Sequence, residues 1–318
     1  MATRSAGQLS TKYGKIEDLV VSVEFVLPDG SVVETGRAPR SPMGPDWTQL
    51  LLGSEGTLGF FTAARLQVSA VAEKRLFLGL AADSLEQAMK FGRLALQHGV
   101  RPAALRIYDP QDTRLAMNSE ALKAAGFDGS VAVVAVFEGR ERVCTAEFEE
   151  ARALARELEL RDLGPSLGEH WWKHRYDVSY RQQLILSHDR MILDTFEVAA
   201  TWDKIPAVYA AVKAVSVGAG VVLAHLSHFY ATGANIYFTL VSHAGFKDPV
   251  DKYDEIWESI LDAAHEAGAT LSHHHGVGLQ KQKWLAREKG ALGPVFAAVK
   301  RAMDPRGIMN PGKMGVGD

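Results

Sequence analysis

From residue 75 onward, the chain alternates short apolar segments of strand length with longer amphipathic segments of helix length. Strands are predicted at residues 75–82, 103–109, 130–139, 191–198, 220–229, 234–241 and 269–274. Helices are predicted at residues 84–99, 145–160, 203–215 and 249–267, the first of them opening on the capping box Ser84-Leu85-Glu86-Gln87. The last strands and helices follow the order β-α-β-β-α-β, which is typical of a split βαβ, ferredoxin-like unit. The pattern therefore predicts an α+β fold.

A ferredoxin-like unit packs both helices on one face of its sheet, so polar side chains on the other face can line a cavity. The polar residues on or at the ends of the predicted strands are Arg106, His225, His228, Tyr237, His273, His274 and His275. Because successive residues of a strand face opposite sides, at most two of the three consecutive histidines can point into one cavity. Histidine titrates near neutral pH, so this triplet suits proton transfer.

Charge and cysteine content narrow the class of protein. The chain of 318 residues carries a formal net charge of −3 and has no basic block, which argues against nucleic acid as a partner. Its apolar runs are interrupted well before the length of about 18 residues that suggests a membrane span. Cys144 is the only cysteine, so no internal disulfide can form. We expect a protein of the reducing cytoplasm.

The N-terminal region has the signals of a small sheet. Residues 20–27 and 31–35 are predicted strands around the turn Pro28-Asp29-Gly30, which is typical of a hairpin. A short helix is predicted at 47–52 and a further strand at 60–68. Between them lies GSEGTLG (residues 53–59), whose glycines let a ligand approach the backbone closely. Taken alone, this segment is either a pyrophosphate-binding turn or a structural one.

Four segments together resemble the flavin-binding half-domain of the vanillyl-alcohol-oxidase (PCMH-type) family. They are TRSAG at 3–7, YGKIEDLV at 13–20, GSEGTLG at 53–59 and MDPRGIMNPGKM at 303–314. The resemblance implies an FAD cofactor, and no histidine or cysteine in this part stands out as a covalent link to it. The residues implied for cofactor binding are Thr3, Arg4, Ser5, Gly7, Ile16, Glu55, Gly56, Thr57, Leu58, Gly59 and Asn310.

The same resemblance implies a domain organisation. We expect residues 1–70 to form the C-terminal part of a PCMH-type FAD-binding domain and residues 71–290 a ferredoxin-like, substrate-binding cap with an antiparallel sheet. Residues 291–318 are expected to form a helical C-terminal segment that returns to the FAD domain. Family members carry a further flavin-binding half before the point where this sequence starts, so we expect that half to be absent here. A homodimer is also expected.

Within the family, SHHHGVG (272–278) and HLSHFYATGANIYFTL (225–240) are most similar to the alkylglycerone-phosphate synthase branch. These enzymes exchange the acyl chain of acyl-dihydroxyacetone phosphate for a fatty alcohol. The resemblance implies that Tyr237 is the catalytic acid/base, that His273, His274 and His275 are required for activity, and that Arg106 and Arg181 bind the substrate. It also implies a small-molecule or lipid substrate, with peripheral contact to a membrane.

Alternatives remain for the function and for the histidines. One alternative is an FAD-dependent dehydrogenase of a 2-hydroxy acid or another alcohol, and a second is a non-catalytic fragment. His225 and His228 are spaced i, i+3, so they can share a metal only where the backbone bends. The related D-lactate and glycolate dehydrogenases carry a metal near this position, but their GEHG motif is HHHG here. No metal is therefore predicted.

Overall fold

The computed structural model describes residues 1–36, 41, 43–116, 127, 131–177 and 186–316. The chain divides into two compact units. Unit 1 comprises Met1–Gly7, Tyr13–Ser69 and Leu271–Asp318. Unit 2 comprises Gln8–Lys12 and Ala70–Thr270.

The described residues contain strands and helices in the following order. The strands are β1 (Val20–Val26), β2 (Val32–Glu34), β3 (Phe60–Leu66), β4 (Lys74–Ala82), β5 (Ala104–Tyr108), β6 (Val131–Gly139), β7 (Arg161–Gly164), β8 (Met191–Thr201), β9 (Val221–Ser227) and β10 (Gly233–His243). The helices are α1 (Ser10–Tyr13), α2 (Ile16–Leu19), α3 (Trp47–Leu51), α4 (Leu85–Gln97), α5 (Pro110–Ala116), α6 (Glu141–Glu157), α7 (Ser166–His174), α8 (Ile205–Val215), α9 (Pro249–Glu266), α10 (Gln282–Lys289) and α11 (Leu292–Met303). Among these residues, no helix combines the length and the apolar character needed to cross a membrane.

Unit 1 contains a three-stranded antiparallel sheet in the order β2-β1-β3. The hairpin predicted around Pro28-Asp29-Gly30 is confirmed, since β1 pairs with β2 across that turn. The core of the unit includes Phe25, whose ring meets that of Phe61 edge to face at 4.9 Å between centroids. Gly59 has φ +152°, and a Cβ there would lie 2.2 Å from the Phe25 ring. This position therefore requires glycine.

A buried ion pair holds the C-terminal segment of unit 1 in place. The Lys300 ammonium contacts the Asp304 carboxylate one helical turn later, and both side chains are almost fully buried. Asp304 also accepts from the amides of Ile308 at 3.1 Å and Met309 at 2.8 Å. Burial raises the pKa of Asp304, but these hydrogen bonds outweigh it and hold the pKa below the ordinary value of 3.8. The segment 304–309 is thus fastened to the end of α11.

We expect Asp304→Asn to destabilise the protein by about 3 kcal/mol, because the Lys300 charge would stay buried without a counter-charge. The pKa of Asp304 is lower in the folded state than in the unfolded chain. Its contribution to the free energy of unfolding is therefore present above the ordinary pKa and is lost as the pH falls through the folded pKa. Urea unfolding at a series of pH values measures this. The control is Asp189→Asn, which changes an exposed aspartate. Equal unfolding midpoints for Asp304→Asn and wild type at pH 7 would contradict the prediction.

Unit 2 is built on a seven-stranded antiparallel sheet in the order β7-β4-β6-β5-β9-β10-β8. Its first four strands, taken with α4 and α6, follow the chain order β-α-β-β-α-β of a ferredoxin-like unit. β8, α8, β9, β10 and α9 repeat that order, and Thr270 completes it with a single bridge to Ala199. The two halves are joined where β5 pairs with β9. The predicted ferredoxin-like fold with an antiparallel sheet is confirmed, and the ferredoxin-like unit is present twice.

Helices cover one face of this sheet. α4 begins as predicted, because the Ser84 hydroxyl accepts from the amide of Gln87 at 3.1 Å. The Gln87 side chain accepts from the amide of Asp83 at 2.8 Å, one residue before the capping-box partner. α4, α6, α8 and α9 then pack their apolar sides on the sheet. This face holds the largest buried side chains, including Phe137, Phe196 and Phe238.

The other face differs between the two halves. On the first half, α7 covers it with Leu167 and Trp171, which pack on Ala104, Val134 and Val136. On the second half, the same face carries polar residues on successive strands. They are His225 and Ser227 on β9, Asn235 and Tyr237 on β10, and Thr195 and Glu197 on β8. The polar side chains expected on one face of the sheet are therefore located on the second half.

The strand predicted at 269–274 is wrong. Only Thr270 bridges to the sheet, and residues 271–279 form bends and turns. Backbone amides in and just after the predicted strand donate to side-chain carboxylates instead of to a neighbouring strand. The amide of Leu271 donates to Glu288 at 3.1 Å, and the amides of Val277 and Gly278 donate to Glu55. His273, His274 and His275 thus do not alternate across a strand, and the limit of two histidines per cavity does not apply.

Candidate active site

The polar cluster of unit 2 centres on His225. In the strand register, His225 lies opposite Tyr108 of β5 on one side and Tyr237 of β10 on the other. Its Nε2 lies 3.1 Å from Nη1 of Arg106, and its Nδ1 lies 3.3 Å from Oδ2 of Asp112. A guanidinium can only donate and a carboxylate only accept, so the proton is on Nδ1 and Nε2 is the acceptor.

The surroundings of His225 keep it neutral. Burial and the positive charge of Arg106 lower the pKa of His225 below its ordinary value of 6.5, although Asp112 acts in the opposite direction. Arg106 itself, on β5 as predicted, places its guanidinium 5.2 Å from the ring centroid of Trp171. A neutral imidazole therefore lies between one cation and one carboxylate.

Tyr237 stacks on this imidazole. The two rings are 5.0 Å apart between centroids with an interplanar angle of 19°. The phenol donates to Oγ1 of Thr195 at 2.9 Å. Burial raises the pKa of Tyr237, while the Thr195 hydrogen bond and the charge of Arg106 partly offset this. The side chain is thus a neutral phenol at neutral pH.

Further polar residues on this face did not stand out in the sequence. Asn235 donates to Oε2 of the fully buried Glu197 at 3.0 Å, and the Ser227 hydroxyl donates to Oδ1 of Asn235 at 3.2 Å. Asp112 was missed because it lies on α5, which was not predicted. Thr195 and Glu197 carried a usable signal, namely the alternation of polar and apolar residues along 191–198.

His228 and Arg181 have different outcomes. His228 follows the end of β9 with φ +51°, so the backbone does bend between the two histidines. Within unit 2, however, His228 places Nδ1 2.5 Å from the hydroxyl of Ser10, while His225 contacts Arg106 and Asp112. Arg181, the second predicted substrate-binding arginine, lies outside the described residues.

The histidine segment, residues 273–275, belongs to unit 1. Nδ1 of His273 lies 3.0 Å from Nδ1 of His274, and the rings of His274 and His275 are 4.5 Å apart between centroids. The ammonium of Lys15 donates to the carbonyl of His273 at 2.6 Å. Lys15 also pairs with Glu17 at 3.0 Å. The three imidazoles are therefore neighbours on a backbone tied to the YGKIEDLV segment.

Glu55 fixes the backbone just after the histidine segment. Its Oε1 accepts from the amide of Val277 at 2.6 Å and its Oε2 from the amide of Gly278 at 2.9 Å. Gly276 has φ +86°, and a Cβ there would lie 2.6 Å from Oε1 of Glu55. Asn310, from the closing segment, donates to the carbonyl of Glu55. The GSEGTLG turn thus holds the SHHHGVG segment through one carboxylate.

The remaining predicted cofactor residues form the surrounding turns of unit 1. The guanidinium of Arg4 donates to the carbonyls of Leu52 at 3.1 Å and Gln49 at 2.6 Å. Thr3 and Ser5 share a hydroxyl hydrogen bond of 2.8 Å. Several other contacts complete these turns. The amide of Ile16 donates to the Ser5 carbonyl at 3.3 Å, the Thr57 hydroxyl donates to the Ser54 carbonyl at 2.7 Å, and the Leu58 side chain is fully buried.

Comparison with known proteins identifies the family. Residues 71–314 match the model of the FAD linked oxidases, C-terminal domain. The chain belongs to this family. It is 29% identical to alkyldihydroxyacetonephosphate synthase of Dictyostelium discoideum, over 99% of this chain and 56% of that protein. It is 30% identical to the uncharacterized FAD-linked oxidoreductase YgcU of Escherichia coli O157:H7, over 98% of this chain and 66% of that protein.

The fold agrees with this assignment. A solved structure of an alkyldihydroxyacetonephosphate synthase superposes with a TM-score of 0.76 at 26% identity, over 98% of this chain and 56% of the other. The chain thus spans about half the length of that protein. The fold is the α+β fold of PCMH-type FAD enzymes, in agreement with membership of the FAD-linked oxidase family.

The cofactor is FAD, and unit 1 offers features that fit it. Within the GSEGTLG turn, Gly53 and Gly56 adopt left-handed backbone with φ +78° and +76°. The hydroxyl of Ser54 is buried without a hydrogen-bond partner among the described residues. A Cβ at Gly7 would meet nothing within 4 Å, so the TRSAG backbone has an open side. The amides of Gly53, Ser54, Glu55 and Thr57 donate to backbone carbonyls, so the Ser54 hydroxyl is the group of this turn that a polar ligand could satisfy.

The neutral state of His225 predicts a pH dependence of stability. Because its folded pKa lies below 6.5, the unfolded chain binds this proton first as the pH falls. The free energy of unfolding therefore decreases from about pH 6.5 down to the folded pKa. In His225→Gln this component of the slope should disappear. Urea unfolding across this range tests it, with His98→Gln, an exposed histidine, as the control. An unchanged slope in His225→Gln would disprove the assignment.

The carboxylate of Glu55 predicts local protection from hydrogen exchange. Glu55→Ala removes both acceptors, so the amides of Val277 and Gly278 should exchange about tenfold faster or more. Glu55→Gln keeps one acceptor and should give an intermediate rate. Hydrogen-exchange mass spectrometry of the peptide containing residues 276–280 measures this. Glu86→Gln, an exposed glutamate of unit 2, is the control. Equal rates in all variants would contradict the role of Glu55.

Proposed function

We propose that this enzyme exchanges the acyl group of an acyl-dihydroxyacetone phosphate for a fatty alcohol. The single observation that carries the proposal is the cluster of Arg106, His225 and Tyr237, which combines a cation for an anionic head group with a half-buried phenol for proton transfer. The similarity to the Dictyostelium synthase supports it. The chain accounts for about half of that protein, so the activity is proposed for the protein that contains this chain.

Arg106 is proposed to bind the phosphate of the substrate, together with Arg181. A guanidinium keeps its charge when half-buried and can bind a phosphate with two parallel hydrogen bonds. Asp112 belongs to the same cluster but contacts His225, so the Arg106 charge is not paired directly with it. This arrangement leaves Arg106 a net electrostatic preference for an anion.

Tyr237 is proposed to take and return the proton of the substrate carbon that exchanges its oxygen substituent. FAD, when bound, supplies an electron-accepting ring for this chemistry. The phenol is neutral at rest, which suits proton donation, and the charge of Arg106 favours the phenolate that forms when it acts as the base. His273, His274 and His275 are proposed as further proton-transfer groups.

The overall exchange involves no net oxidation. The carbon–oxygen bond to the acyloxy group breaks, and the carboxylate leaves with the electron pair. The oxygen of the alcohol forms the new bond and loses its proton. The second candidate is an FAD-dependent dehydrogenase of a 2-hydroxy acid or another alcohol. The 30% identity to YgcU, an uncharacterized FAD-linked oxidoreductase, supports an oxidoreductase reaction, and Arg106 would then bind the carboxylate of a 2-hydroxy acid.

The test begins with the visible spectrum of the protein after addition of FAD and gel filtration, which reports bound flavin. The loaded protein is then given palmitoyl-dihydroxyacetone phosphate and hexadecanol, with mass spectrometry for the hexadecyl ether and free palmitate. A parallel assay supplies D-lactate and other 2-hydroxy acids with an artificial electron acceptor. We expect the ether product, and a loss of about 100-fold or more in Tyr237→Phe.

Tyr176→Phe is the matched control, because Tyr176 is an exposed tyrosine of the same unit. Acceptor reduction by a 2-hydroxy acid without ether formation would favour the dehydrogenase instead. Bound flavin with neither activity would disprove both candidates, and a protein without bound flavin would disprove catalysis by the chain alone.

A further inference from the structure

His225 has no role of its own in the proposed reaction, yet it contacts both the proposed head-group residue Arg106 and the proposed proton-transfer residue Tyr237. It receives a hydrogen bond from Arg106 at 3.1 Å and stacks on Tyr237 at 5.0 Å between ring centroids. Its side chain is only 12% exposed. Both ring nitrogens of this imidazole have hydrogen-bond partners, and one face of the ring stacks on Tyr237. These contacts fix the orientation of the ring.

His225 accepts a hydrogen bond from Arg106 on Nε2 and donates one to Asp112 from Nδ1. Asp112 is 6% exposed and accepts from Nδ1, so its charge holds the proton on that nitrogen. Nε2 is left with a lone pair directed to Arg106. Carboxylate–histidine pairs orient a ring and raise the basicity of its far nitrogen in this way. Asp112 thus makes His225 a better acceptor for the guanidinium.

A flexible arginine loses side-chain entropy when it binds an anion, and a neighbour that holds it beforehand reduces that cost. The Arg106 guanidinium contacts the acceptor of His225 and the ring of Trp171, and the residue is carried by the strand β5. The acceptor is neutral, so it orients the guanidinium without neutralising its charge. A carboxylate in the same position would orient Arg106 but would also compete with an anionic ligand.

We propose that His225 is a positioning residue, held in one tautomer by Asp112, which presets the guanidinium of Arg106 for the anionic head group of the substrate. The inference rests on the proposed role of Arg106 as the head-group site. It assigns His225 no contact with the substrate. It predicts an effect on substrate binding and not on the chemical step.

Two variants separate this role from simple packing. His225→Phe keeps a ring beside Tyr237 but removes the acceptor, and His225→Gln places an amide oxygen near the position of Nε2. We expect KM for palmitoyl-dihydroxyacetone phosphate to rise about tenfold in His225→Phe, because one hydrogen bond to a charged group is lost. We expect kcat to change less than about twofold. His225→Gln should recover most of the loss. His98→Gln is the control, with circular dichroism to check folding of each variant.

A fall in kcat at constant KM, or equal effects of Phe and Gln, would overturn the proposal. Calorimetric binding of dihydroxyacetone phosphate to the same variants needs no turnover, so it decides the inference even where wild type exchanges no acyl group. In that case, weaker binding of dihydroxyacetone phosphate to His225→Phe and recovered binding to His225→Gln would support the positioning role of His225. Only the proposed acyl exchange would then be disproved. If the variants fail to fold, the proposal can still be tested on the wild-type protein. Nitrogen-15 NMR must then show that His225 is neutral and protonated on Nδ1, and any other protonation state overturns the proposal.

Discussion

The pairing of β5 with β9 is the interaction on which unit 2 depends. The register of this pairing matches Ile107 with Leu226 and Tyr108 with His225. It converts two ferredoxin-like halves into one seven-stranded sheet, and it removes an exposed edge from each half. Because the pairing also fixes side-chain parity, Ile107 and Leu226 enter the helix-covered core while Tyr108 and His225 share the opposite face. A shift of one residue would place the side chains of one of the two strands on the wrong face of the sheet.

The polar face is stable because each charged side chain on it contacts a partner of opposite charge or a hydrogen-bonding group. Arg106 and Asp112 have opposite charges and contact the same neutral imidazole, so neither is buried alone. Glu197 is fully buried but receives a hydrogen bond from Asn235, whose own oxygen accepts from Ser227. Such a network is costly if any member is missing, because an unsatisfied buried polar group loses its hydration without replacement. These side chains lie on β9, β10 and β8, on the sheet face opposite α8 and α9, and they form a buried, hydrogen-bonded polar layer there.

Most of the elements were predictable from local pattern. The hairpin at Pro28-Asp29-Gly30 and the helix that begins after Ser84 depend on turn and capping chemistry within a few residues, and both are confirmed. Arg106, His225 and Tyr237 were correctly placed on strands because those strands alternate polar and apolar residues. Asp112 could not be predicted to join them, since its contact with His225 depends on the pairing of β5 with β9, more than a hundred residues apart in sequence.

The prediction of a strand at 269–274 is wrong for a different reason. Its sequence has the apolar and β-branched residues of a strand, but strand formation also requires that the backbone amides pair with a neighbouring strand. Here the amide of Leu271 donates to Glu288, and just beyond the segment the amides of Val277 and Gly278 donate to Glu55. Side-chain carboxylates thus replace strand carbonyls as acceptors, and a carboxylate accepts more strongly than a neutral carbonyl. The bend that results brings three consecutive imidazoles into one neighbourhood, an arrangement that the alternation of a strand forbids.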